Sequence, residues 1–183
     1  MKLSLIININ NKELVKNVRQ IHRKLEDETN SFSYSVHDYH ILVLNLMPFV
    51  DVNIDNSILN NYKSIFSECF KNVKKFNMEF YGFTVNRYGR IIYAKVDSPV
   101  LKDIRNTILI PTLKKNGAKF IDEMCKPGIP LVVNRNAKIL LAERLNAEDN
   151  RQFLGTQEAN SIDFVINDFY IHSRFILDRY FLS

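Results

Sequence analysis

The sequence predicts an α+β fold made of two similarly built halves, and three observations carry that expectation. Short apolar runs rich in Ile, Val, Leu and Phe recur along the chain, at Leu3–Ile9, Tyr39–Leu46, Phe76–Val85, Arg90–Val96 and Ile162–Ile171. Between them, apolar residues repeat at helical spacing. Gly and Pro number only five each while 46% of the 183 residues are hydrophobic, so the chain can bury a real core and is not dominated by loops. Residues 1–183 are expected to form one domain.

Leu3-Ser4-Leu5-Ile6-Ile7-Asn8-Ile9 reads as a buried first strand. Leu14, Val18, Ile21 and Leu25 follow at spacings of four, three and four, which is one face of a helix, and Asn10 or Asn11 is positioned to cap it. His22 lies beside that stripe and is expected at its boundary or on the surface. Asp27–Asp38 reads as a polar loop leading to Tyr39–Leu46, a strand that carries His40. Met47-Pro48 breaks this run, and Asp55 or Asn56 opens a second helix with Ile58, Tyr62, Ile65, Phe66, Cys69 and Val73 on its apolar face.

Phe76–Val85 and Arg90–Val96 read as a hairpin turning at Asn86-Arg87-Tyr88-Gly89. Ser98-Pro99 supplies an N-cap and a first-turn proline for a helix whose apolar face is Leu101, Ile104, Ile108 and Leu109. Pro111 is expected to kink or end it, with a last turn reaching Lys115 and Asn116-Gly117 as the stop. Cys125–Pro130 is rich in turn formers and leads into Ala137–Leu145, a second strand comparable to the one at His40. Asn146–Ser161 is mostly polar and reads as a loop or insertion, and Ile162–Ile171 with Phe175–Leu182 closes the chain as a strand pair.

A net charge of +5 favours phosphate-bearing partners without reaching a polybasic profile. The basic residues are dispersed, so most belong to solvated faces. Cys69 and Cys125 are isolated from each other and from any His cluster, which predicts reduced thiols, with no zinc site and no disulfide framework. No cofactor or metal is expected. No apolar run is long enough for a bilayer, and residues 1–9 lack the cleavage pattern of a signal peptide, so a cytoplasmic or nuclear location is expected.

Several strings, taken in order, resemble the two-histidine (2H) phosphoesterase, or LigT-like, superfamily. They are Leu3-Ser4-Leu5-Ile6 followed by Asn11-Lys12-Glu13, then Tyr39-His40-Ile41-Leu42, then Phe80-Tyr81-Gly82-Phe83 with Gly89-Arg90-Ile91-Ile92-Tyr93-Ala94-Lys95-Val96. Within the superfamily they are most similar to the group containing the central domain of an A-kinase anchoring protein. The resemblance implies two pseudo-symmetric lobes, with antiparallel sheets flanked by helices around a central cleft. It also implies a His-x-Thr or His-x-Ser motif on each central strand. Residues two apart share a strand face, so each motif would offer an imidazole and a hydroxyl to a phosphodiester: one imidazole as base, the other as acid, the hydroxyls as phosphate grips.

In this chain the first motif reads His40-Ile41-Leu42, and the second, by alignment, Lys138-Ile139-Leu140. The catalytic positions are therefore His40, Leu42, Lys138 and Leu140, and leucine stands where both hydroxyls belong. Lysine is a poor base at neutral pH but can hold a phosphate. His22, His37 and His172 have no Ser or Thr two residues on. Candidate ligand contacts are His40, Lys138, Arg135, Arg144, Tyr88 and Tyr39. The tyrosines, with Tyr34 and Tyr93, are either stacking surfaces for bases or core-edge packing. The expected function is a catalytically degenerate 2H protein: an RNA- or nucleotide-binding module, or a protein-interaction subunit of a larger assembly such as a ribonucleoprotein. The alternative is a phosphodiesterase using His40 and Lys138 on a 2′,3′-cyclic phosphate or 2′,5′-linked RNA.

Overall fold

The structure, a computed structural model, describes residues 2–29, 32–33, 39–48, 55–85, 91–121, 127–133, 151–168 and 173–183. The expected turn at 86–89, the strand expected at 137–145 and Cys125 lie outside these residues. Among them the elements run β1 (Lys2–Asn8), α1 (Lys12–Thr29), β2 (Phe32–Ser33), β3 (His40–Pro48), α2 (Asn56–Phe70), β4 (Phe76–Val85), β5 (Ile91–Asp97), α3 (Pro99–Asp103), α4 (Ile110–Lys115), β6 (Gly128–Val133), β7 (Phe153–Ala159), β8 (Ser161–Asp168) and β9 (Ser173–Phe181).

The strands form an antiparallel sheet in the order β7-β4-β5-β6-β3-β1-β8-β9, with β2 pairing β6. The order mirrors itself about the β6/β3 seam. β1 leads through α1 back to its neighbour β3, as β5 leads through α3 and α4 back to its neighbour β6. The helices reach across that seam. α1 packs on β7 and β6, where a Cβ on Gly155 would lie 3.5 Å from Leu14 Cα. Asn17 Nδ2 donates to the Leu154 carbonyl, and Gln157 Oε1 accepts from the Asn10 and Asn11 amides. From the other half, Arg105 donates through Nε to the Val43 carbonyl of β3 at 3.2 Å. A β-bulge in the β1–β3 ladder skips Val43, so a buried guanidinium serves a carbonyl at the irregularity.

Asn11 is the cap of α1, its Oδ1 accepting from the Glu13 and Leu14 amides. Ser98 caps α3, and Asp55 caps α2. Pro111 does not end its helix. The six residues before Ile110 widen into a π-helical stretch, Ile104–Leu109, in which the Ile110 amide bonds the Arg105 carbonyl five residues back. A π register relieves the clash that a proline ring makes in regular α geometry, so the helix continues to Lys115.

Three expected loops contain regular structure. α1 continues to Thr29 and Phe32–Ser33 pairs with β6, both inside the segment expected as a polar loop. Gly128–Val133 is a strand and not only a turn, because Ile129, Leu131 and Val132 are buried in the core. Phe153–Ala159 is an edge strand inside the expected polar loop: Leu154, Gln157 and Ala159 are buried, and polar Thr156 and Glu158 face solvent. One polar-rich face is what an edge strand tolerates. His22, expected at the boundary of its helix stripe or on the surface, is fully buried, its Nδ1 2.8 Å from the Tyr39 hydroxyl. The main core lies on the helix-covered face, where Phe66 meets Phe164 edge-on at 5.2 Å. No helix among the described residues is long and apolar enough to cross a membrane.

Candidate functional site

Alternation along the seam strands decides which side chains reach the face opposite the helices. On β1, Leu3, Leu5 and Ile7 enter the main core, which turns Ser4, Ile6 and Asn8 to the other face. Ile6 joins Leu42, Tyr93 and Val165 in a separate small apolar cluster there. His40, two residues from Leu42 and paired with Asn8, stands on the same face and is half-buried.

A polar network surrounds His40. Arg174 on β9 donates to His40 Nδ1 through Nη2, to Asn8 Oδ1 through Nη1 at 3.1 Å and to Asn167 Oδ1 through Nε at 3.2 Å. Asn8 Nδ2 donates to Asp163 Oδ2 at 2.6 Å. Asp163, 1% exposed, accepts from Arg179 Nε and Nη2, both at 2.8 Å, and this bond holds the guanidinium above its usual pKa range. Asn8 and Asn167 stand toward opposite ends of the β1–β8 register, yet one guanidinium bonds both. That reach requires a strongly curved sheet, concave on this face.

The other half of the seam is different. Leu42 pairs with Gly128 on β6, and mirroring the β1–β3 register onto β5–β6 sets Gly128 against His40 and Pro130 against Leu42. Gly128 has no room for a side chain: a Cβ there would lie 2.3 Å from Tyr93 Cδ2 and 2.8 Å from the Ala94 carbonyl. Lys95 pairs with Gly128 and lies two residues from Tyr93, so it adds a cation to the same face.

Of the residues singled out in the sequence, the structure brings His40 and Leu42 to this face. Tyr39 is a correction. It is 6% exposed, packs in the core and hydrogen-bonds His22, with burial pushing its hydroxyl up to about 12, so it offers no stacking surface. Tyr93 is likewise packed, over Gly128. Lys138, Leu140, Arg135, Arg144, Tyr88 and Tyr34 lie outside the described residues. Sequence reasoning missed Arg174, Asn8, Asn167 and Lys95. Lys95 was legible as the period-two neighbour of Tyr93, whereas Arg174 reaches His40 only through sheet curvature. Cys69 is a buried free thiol whose pKa burial raises, and among the described residues no group of three or more His, Cys, Asp or Glu could hold a metal ion.

No family model and no curated protein matches this sequence. Solved structures do match. E. coli LigT complexed with NADP+ aligns at 14% identity and a TM-score of 0.69 over 100% of this chain and 97% of its own. A crystal structure described as a phosphoesterase aligns at 11% identity and 0.70 over 100% and 98%. Kluyveromyces marxianus Usb1 aligns at 10% identity and 0.54 over 96% and 97%. The chain therefore has the LigT-like, 2H phosphoesterase fold along its whole length.

Proposed function

We propose that this protein is a nucleotide- or RNA-binding module that grips phosphate on a 2H fold whose phosphodiesterase chemistry has lapsed. The Arg174–His40 hydrogen bond carries the reading. A guanidinium only donates, so His40 Nδ1 accepts and the neutral ring keeps its proton on Nε2. Nε2 in this tautomer has no lone pair with which to act as a general base, and as an acid it would need a base that the mirrored positions Gly128 and Pro130 do not supply. It is a donor, which is what a phosphate oxygen needs.

The rest of the face agrees with a donor site. Arg174 and Lys95 bring positive charge, and Asn167 Nδ2 is a buried donor without a hydrogen-bond partner among the described residues. Opposite His40, Gly128 and Pro130 supply no acid, base or hydroxyl. Lys138, Arg135, Arg144 and Tyr88 belong to the proposal as further phosphate or base contacts, and the sequence strings still favour the anchoring-protein group within this fold. A second reading, a subunit of a larger assembly, is favoured by edge strand β9, where Phe175 and Ile176 are 59% and 51% exposed.

Thermal-shift titration with inorganic phosphate, nucleoside monophosphates and short RNA tests the proposal. The expected result is a stabilisation that falls away in His40→Ala and Lys95→Ala, together with no turnover of 2′,3′-cyclic nucleotides or 2′,5′-linked oligoadenylate. Turnover that disappears in His40→Ala would overturn the loss of catalysis. No shift with any of these ligands would leave the assembly reading.

A further inference from the structure

The polar network at His40 continues into a recess of about 210 Å³ that borders Asn8, Asn10, Glu158, Asn160, Ser161 and Arg179. This is below the roughly 300–1,000 Å³ of cavities that enclose a drug-sized ligand, so it suits a single ring system and not a whole nucleotide. Four features give it a chemistry. Arg179 is fixed by its two bonds to buried Asp163, which engage Nε and Nη2 and leave Nη1 outside the pair. Glu158 contributes an exposed carboxylate, an acceptor only. Asn10, Asn160 and Ser161 add groups that both donate and accept.

The fourth feature is Phe181. It is 77% exposed, and it pairs with Ser161 as Arg179 pairs with Asp163. Residues two apart share a face, so this aromatic ring stands on the sheet face of Arg179, across the ladder from Ser161 of the recess. An exposed phenyl ring is costly to leave in water, but it is a surface on which a base can stack. Asn8 joins the two regions: it pairs with His40 across the ladder, where such partners lie about 4.5–5.5 Å apart, and it lines the recess.

We propose that this recess binds the base of the nucleotide whose phosphate lies at His40, with Phe181 as stacking platform, and that it prefers guanine. Guanine offers O6 and N7 acceptors that suit Arg179, and N1–H and N2–H donors that suit the Glu158 carboxylate. Adenine and the pyrimidines lack that combination. The inference rests on the phosphate-binding reading above.

Calorimetric titration of the full chain with the four nucleoside 3′-monophosphates, ribose 5-phosphate and inorganic phosphate separates the two. The expected result is guanosine 3′-monophosphate binding at least tenfold tighter than the cytidine and uridine compounds. Glu158→Gln should reduce that preference to within about threefold, and Phe181→Ala should weaken all four nucleotides about tenfold, while inorganic phosphate binds all three proteins equally. Both positions are exposed, and unchanged circular dichroism establishes that the variants fold. Four nucleotides bound no more tightly than ribose 5-phosphate would overturn the base site and leave phosphate binding standing. No binding of nucleotides or phosphate would overturn both. Self-association that is lost in Phe181→Ala, with nucleotide binding unchanged, would assign the ring to a second copy and overturn the stacking role.

Discussion

The two halves of the sheet follow one strand plan and end in opposite surfaces. In the first, the face opposite the helices holds His40, Asn8, Asn167, Arg174, Asp163 and Arg179 in one hydrogen-bonded network. In the second, the matching strand presents Gly128 and Pro130, and Tyr93 lies where a side chain on Gly128 would stand. The contrast separates what the fold needs from what chemistry needs. Strand pairing is made by backbone groups and survives the loss of functional side chains, whereas a two-imidazole mechanism requires both strands to present them. One half carries a hydrogen-bonded polar network on this face, and the other an aromatic ring packed over Gly128.

The contrast predicts opposite responses to mutation. The largest effect is expected at Asp163→Ala. This removes a buried acceptor of three hydrogen bonds, but Arg179 is partly solvated, so the loss is about 2–3 kcal/mol in urea unfolding and below that of a fully buried pair. A loss under about 0.5 kcal/mol, typical of surface substitutions, would mean that the network is decoration. Next is Gly128→Ala, whose methyl group must displace Tyr93 or the strand, at about 1–3 kcal/mol. His40→Ala, at the mirrored but half-buried position, should cost less than Gly128→Ala. The reverse order would break the proposed equivalence of the two positions.

Arg105→Met refines the seam itself. It leaves the Val43 carbonyl without its buried donor, and a loss of about 1–3 kcal/mol is expected, with nucleotide affinity also reduced if the bulge sets the angle of His40 and Leu42. Unchanged stability would mean that water takes over the carbonyl.

How much of this was legible in the sequence varied with the range of the interactions involved. Local patterns at Leu14–Leu25 and Ser98-Pro99 yielded helices with the expected starts, because caps and apolar periodicity act over a few residues. The resemblance strings led to the right fold. Asn146–Ser161 was misread because β7 is an edge strand, for which a polar face is compatible with pairing. Cys125–Pro130 was misread because Gly128 and Pro130 are turn formers used here inside a strand, where Tyr93 takes up the space that a larger residue at 128 would need. At the site, His40 and Leu42 were legible from spacing. Arg174 was not, since it lies 134 positions from His40 and meets it only in the folded sheet.

The smallest expected effect concerns the buried support beneath His40. Tyr39 precedes it on the chain, and the Tyr39 hydroxyl is held by His22 on α1. Burial pushes the His22 pKa below its ordinary 6.5, against the opposing pull of Glu26, whose carboxylate lies 3.7 Å from Nε2. Arg19 also approaches the Tyr39 hydroxyl. In the unfolded chain His22 takes up a proton near pH 6.5, and in the fold it does so only at lower pH. The fold is therefore at full strength above 6.5 and weakens as pH falls from there toward the folded value, where protonation of both states ends the dependence. Urea midpoints at pH 7.5 and 5.5 measure this: the wild type should lose more stability on acidification than His22→Gln, whose amide can still bond the tyrosine. Equal losses would mean that the buried imidazole titrates as it does in the unfolded chain, and that the first half's strand is anchored by packing without a proton-sensitive bond.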